Sequence, residues 1–188
     1  MHLTFPLTQS WLPKPEEGFR PGTADFSWSN DRLVLVVDLA DDEVVTTASA
    51  NQQRLWEHGD VVELFVQRVG ENGYREYQVS PNGFTLALSY PDLAGVAAVR
   101  SGERQIDEYF SGDPSDVSFM AQAELTAMGW RARLSIPLSG SLSEGIRVSC
   151  CRYDAGAGRA PIISSTSPHP VRDFHRPQDW REMILMEE

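Results

Sequence analysis

The chain has 188 residues, of which 41% are hydrophobic and 10% aromatic. That suits one globular domain and is short for a (β/α)8 barrel of about 250 residues. Sixteen basic residues against 27 acidic ones leave a formal charge of −11, a field that repels phosphate backbones and anionic lipid, so neither nucleic acid nor a membrane surface is an expected partner.

The N-terminal stretch MHLTFPLTQSWLPKPEEGF lacks a basic start followed by an apolar run, and nothing approaches the roughly 18 apolar residues of a membrane helix. The expected location is therefore cytoplasmic, or secreted or periplasmic for a chain trimmed at its start. Residues 1–188 read as one domain, with an arm over 1–23 and a core over about 24–186.

Helical periodicity is scarce, and short alternating runs recur between turn clusters. Arg32 to Ala40 places Leu33, Leu35, Val37 and Leu39 on one face, the core face of a strand. Val61 to Arg68 and Tyr74 to Ser80 flank Gly70-Glu71-Asn72-Gly73 and form a predicted hairpin, with Leu64 opposite Val79 and Val66 opposite Tyr77. The other face carries Glu63, Phe65 and Gln67 against Ser80, Gln78 and Glu76, and reads as the wet side. After the turn Ser80-Pro81-Asn82-Gly83, the residues Phe84, Leu86 and Leu88 continue as a third strand.

Asp92 to Asp116 has no clear period and reads as a loop with at most a broken strand. Val117 to Leu125 and Trp130 to Ile136 make a second predicted hairpin, in which opposing Leu125 to Trp130 sets Glu124 beside Arg131 and Gln122 beside Arg133. Ile146 to Tyr153 reads as a strand. Adjacent Cys150 and Cys151 then point to opposite faces and cannot readily pair, and two thiols make no thiolate zinc site. Pro161 to Trp180 reads as a long loop before a last strand at Met183 to Met186. Eight or nine strands imply an all-β fold, an antiparallel β-sandwich of jelly-roll type.

In order along the chain, FSWSNDRLVLVVDLAD (Phe26 to Asp41), LWEHGDVVELFV (Leu55 to Val66), YREYQVSPNG (Tyr74 to Gly83), GWRARLSIP (Gly129 to Pro137) and FHRPQDWREMIL (Phe174 to Leu185) resemble successive segments of the family 9 carbohydrate-binding modules. They also resemble their relatives with a DOMON-like, immunoglobulin-like sandwich. The resemblance implies a noncatalytic module whose partner is carbohydrate. It carries a sugar-stacking tryptophan onto Trp56 and a hydroxyl-binding glutamate onto Glu63. The family's second tryptophan belongs in the late loop, where this chain has Thr166.

The residues themselves leave alternatives open. Trp56 is either a platform for a pyranose or a plug at the end of the sandwich. Glu76 and Gln78 share the face of Glu63, which without a ligand is a solvated face. Arg152 follows the inward parity of Ile146, Val148 and Cys150, so it is either half of a buried ion pair or a binding arginine. Arg75, placed opposite Arg68, and His175, in the family-like tail, are further candidates. No cofactor is expected. Calcium remains an option through Asp41, Asp42, Asp60, Asp173, His58 or His169, although no EF-hand spacing is present. A haem site needs a core methionine and histidine, and Met120 faces outward.

Two other functions compete with sugar binding. One is a glycoside hydrolase or other carboxylate-dependent enzyme. Asp60 and Glu63 fall on opposite faces of a strand, which leaves Glu63 with Glu76 as the possible pair. The other is a protein-interaction sandwich with no small ligand.

Overall fold

The computed structural model describes residues 2–29, 31–110, 119–138, 145–156 and 158–184. Eleven strands occur among them: β1 (His2–Pro6), β2 (Gly22–Ser29), β3 (Arg32–Ala40), β4 (Val61–Arg68), β5 (Tyr74–Val79), β6 (Thr85–Tyr90), β7 (Met120–Thr126), β8 (Gly129–Pro137), β9 (Ile146–Gly156), β10 (Arg159–Ser165) and β11 (Arg181–Met183). They form two antiparallel sheets. One runs β1-β2-β3-β8-β7; the other runs β10-β9-β4-β5-β6, with β11 on β9. The molecule is thus the all-β sandwich expected. The segment read as an arm supplies the edge strand β1, paired with β2 from His2↔Ser27 to Pro6↔Thr23.

The space between the sheets is filled by the alternation legible in the sequence. Leu33, Leu35, Val37 and Leu39 of β3 lie opposite Ile136, Leu134, Ala132 and Trp130 of β8, and all eight are buried. Val62, Leu64 and Val66 of β4 meet them from the second sheet in the same core. The β7–β8 hairpin has the expected register, Leu125↔Trp130. Arg131 reaches both Asp38 (2.7 Å) and Glu124 (3.7 Å) on its solvent side. Val117 and Met186, expected at strand ends, lie outside the described residues.

Three expectations are corrected. The β4–β5 register is displaced by two, with Leu64 opposite Tyr77 and Glu63 opposite Gln78, so the turn is centred one residue earlier than expected. Part of the segment expected to be loop after Asp92 is a helix, α1 (Leu93–Arg100), started by the Asp92 side chain accepting from the Gly95 N–H at 3.0 Å. A 3₁₀ turn follows at Ile106–Tyr109. The tail expected to be loop from Pro161 instead contributes β10 along β9.

The fourth correction concerns the site. The face expected to be wet, with Glu63, Phe65, Gln67, Glu76 and Gln78, is buried. A second apolar cluster covers it, joining Val61, Phe65, Tyr74, Leu86, Leu88 and Tyr90 of the sheet to Leu55, Val96, Tyr109, Phe174 and Trp180 from loops, α1 and the tail. Tyr90 stacks between Tyr74 (4.9 Å) and Tyr109 (5.1 Å). The Trp180 indole N–H donates to the Phe174 carbonyl at 2.8 Å, folding the tail onto the sheet. Burial on both faces is why β4 reads VVELFV with little alternation.

Candidate functional site

Where that roof is incomplete, a cavity of about 390 Å3 opens onto the second sheet. Glu63 of β4 and Glu76 of β5 form its floor. Trp56, Tyr90, Tyr153 and Phe174 stand among its walls, and Arg54, Glu57, Arg100, Arg172 and Asp173 are at the rim.

Trp56 is held by local backbone geometry. It lies in a 3₁₀ turn, Leu55–Glu57, whose Leu55 is buried, while the indole itself is half-buried. The loop is closed behind it by a Thr46↔Gly59 bridge and by the Thr47 N–H donating to the His58 carbonyl at 2.7 Å. Gly59 has φ +136°, and a Cβ there would stand 2.2 Å from the Val45 carbonyl oxygen, so only glycine fits. Asp60 pins the same strand ends by accepting the N–H groups of Val45 (2.7 Å) and Ala155 (2.6 Å). Arg54 ties the turn across to Asp107 at 2.9 Å.

The floor is a carboxylate pair. The Gln78 amide nitrogen donates to Glu63 Oε1 at 2.9 Å and also to Glu76 Oε1, and each glutamate is only 3% exposed. Burial, and then the charge of Glu76, push Glu63 well above the usual carboxylate range. Burial lifts Glu76 to about 7 against the opposing hydrogen bond from Gln78. Burial also raises Tyr74, Tyr90 and Tyr153, which stay neutral hydroxyls. The Tyr74 hydroxyl lies 2.7 Å from His175 Nδ1. Burial, helped by Arg100, holds that imidazole down at about 4. At the rim, burial works to raise Asp173, but two hydrogen bonds from Arg100 (2.7 and 3.0 Å) keep it below its ordinary value.

Four expected site residues therefore converge here: Trp56, Glu63, Glu76 and His175. Three do not. Arg152 lies opposite Val62, on the far side of the sheet from Glu63, and is 1% exposed. Its guanidinium meets Asp41 (2.9 Å) and Asp154 (3.3 Å) and the Ala40 carbonyl (2.9 Å). Of its two readings, the buried ion pair is the one observed. Arg75 faces Val66 and Ser89 rather than Arg68, with its Nη1 3.5 Å from the Tyr77 hydroxyl, again behind the sheet. Thr166 is buried beside β9, where its hydroxyl accepts the Cys150 N–H at 3.0 Å.

Sequence reasoning missed Tyr90, Tyr153, Phe174 and the rim arginines. Tyr153 shares the parity of Cys151 and so the face of Glu63, a signal present in the strand. Tyr90 likewise continues the Leu86–Leu88 parity of β6, on the face of Glu76, whereas Phe174 and the rim arginines come from the roof and have no local mark.

Among the described residues, the carboxylates of Asp41, Asp60 and Asp154 are close enough to hold a cation. The Arg152 guanidinium already lies among them, and Arg159 meets Asp154 from outside at 2.6 Å. Of the other metal candidates, Asp42 pairs with Arg20 and Asp173 with Arg100. Met120 is exposed on β7.

No protein-family model matches the sequence, and comparison with curated proteins finds no relative. Solved structures do share the fold. A Bacteroides uniformis protein provisionally described as carbohydrate-binding superposes with a TM-score of 0.65 at 18% identity, over 95% of this chain and 84% of that one. A family 9 carbohydrate-binding module of Caldicellulosiruptor kristjanssonii in complex with glucose gives 0.63 at 13% identity, over 90% and 78%. A module of that family from the same organism with cellotriose gives 0.53 at 16% identity, over 79% and 66%. The chain thus has the two-sheet architecture of family 9 carbohydrate-binding modules. Among the described residues, no helix is long and apolar enough to cross a membrane.

Proposed function

We propose that this protein is a noncatalytic carbohydrate-binding module that holds one sugar residue in the cavity over β4 and β5. The observation that carries the reading is Trp56 on the wall of a cavity whose floor is the Glu63–Glu76 pair. A half-exposed indole offers a flat face to the C–H side of a pyranose, and the carboxyls and tyrosine hydroxyls meet its hydroxyl groups. The volume falls in the range of roughly 300–1,000 Å3 usual for small-molecule sites. The fold shared with modules solved with glucose and cellotriose supports the same reading.

A glycan array followed by calorimetry on wild type and Trp56→Ala tests it. The expected result is binding by the wild type that Trp56→Ala weakens at least tenfold. Equal binding by both, or none by either, contradicts it.

One observation favours a second reading, a glycosidase: two buried carboxyls that burial shifts above the usual carboxylate range, in the direction a general acid needs. Its geometry is less suited, since both glutamates share one amide nitrogen on a single wall, whereas a glycosidase flanks the scissile bond with its pair. Hydrolysis that survives Trp56→Ala but is lost in Glu63→Gln would favour the enzyme.

A further inference from the structure

The carboxyls on the cavity floor have no cationic partner among the described residues. Among the described residues, Glu63 and Glu76 have one hydrogen-bond donor between them, the Gln78 amide nitrogen. The rim arginines are engaged elsewhere: Arg54 with Asp107 and Glu57, Arg100 with Asp173, and Arg172 with the Pro161 carbonyl at 2.9 Å. His175 is spoken for by the Tyr74 hydroxyl. Tyr90 and Tyr153 face the same cavity as neutral rings.

Two buried carboxylates without a counter-ion are costly, so the pair either keeps a proton or receives a positive charge from what binds. The surroundings suit the second. Trp56 and Tyr153 line the cavity beside the pair, aromatic rings attract a cation, and the net charge of −11 favours its approach.

The geometry points to a ligand that brings its own cation: an amino sugar with a free ammonium group seated on Glu63 and Glu76. This rests on the carbohydrate reading and narrows it. The ammonium donates to the two carboxylates, and the ring packs against Trp56. As it enters, the proton that the pair holds in the empty site passes to the buffer. A neutral hexose leaves that proton in place.

The test is titration calorimetry of the full chain with matched pairs, glucose against glucosamine and galactose against galactosamine, with the N-acetyl forms as uncharged controls. Titrations run below neutral pH, where the amines are cationic, and are repeated at neutral pH in two buffers of different ionisation enthalpy. In at least one pair, the amine is expected to bind about tenfold or more tightly than both uncharged forms, the size of effect a charge-assisted contact supplies. The apparent enthalpy at neutral pH then differs between buffers in the sense of proton release. In Glu76→Gln, which keeps the side-chain shape, the preference falls toward one.

Neutral or N-acetylated sugars binding as tightly as the amines would overturn the inference and leave the carbohydrate reading standing. No binding by any of the six would also overturn the inference, while the glycan array decides the carbohydrate reading.

Discussion

The hydroxyl of Tyr74 and Nδ1 of His175 are 2.7 Å apart, joining the edge of β5 to the tail that roofs the cavity. Both groups are neutral, Tyr74 because burial raises it and His175 because burial lowers it to about 4. The hydroxyl therefore donates to Nδ1, and the imidazole hydrogen sits on Nε2. Tyr74→Phe removes the donor and leaves a buried acceptor unpaired. The expected cost is about 1–3 kcal/mol, read as a lower urea midpoint with an unchanged slope.

Stability should fall as pH rises through neutrality. Glu76 goes from an ordinary 4.5 to about 7 in the folded chain, and Glu63 is raised as well. The folded chain then binds more protons than the unfolded one, so their contribution is full below about 4.5 and is lost as pH rises through 7. His175 acts in the opposite sense: its folded value of about 4 against 6.5 removes stability as pH falls from 6.5 to 4. His169, also lowered by burial, adds to that acid limb. Above 6.5 the carboxyls dominate, joined by Asp60, which burial also raises to about 7. The melting temperature is expected to drop between pH 6.5 and 8, and Glu76→Gln is expected to flatten the drop.

Arg152 is a fold residue. Removing its guanidinium leaves Asp41 buried without its cation and Asp154 with Arg159 alone, and breaking such a pair costs about 3–5 kcal/mol. Arg152→Ala should lower the melting temperature strongly, yet leave ligand affinity per folded molecule unchanged, because the side chain lies behind the sheet. A calorimetric titration below the variant's melting temperature checks this.

Gly59→Ala should damage the site from outside it. The backbone there has φ +136°, and the added Cβ meets the Val45 carbonyl oxygen. Strain of about 1–3 kcal/mol is best relieved by shifting the loop that carries Trp56. Both melting temperature and ligand affinity are expected to fall, whereas Arg152→Ala moves only the first.

The sandwich was legible because period-two patterning survives wherever a strand has one buried face, as in Leu33 to Leu39 and Trp130 to Ile136. The β4–β5 register slipped by two, and an even slip leaves every side chain on its proper face. Glu63, Glu76 and Gln78 were thus correctly grouped. Their burial was not legible, since the roof over them comes from the Trp56 loop, α1 and the Phe174 tail, segments without period whose contacts are tertiary. α1 is two turns long, and Asp92 was its one local mark. The inward parity of Arg152 could be read from β9, but not the arrival of Asp41 from the end of β3 in the other sheet.

The most direct test of the account is a crystal structure of the protein with the best-binding sugar from the array. The account places that sugar against the Trp56 ring, with hydroxyl or amino groups within hydrogen-bond distance of Glu63 and Glu76. A sugar bound elsewhere on the sandwich, with this cavity unchanged and empty, would contradict it.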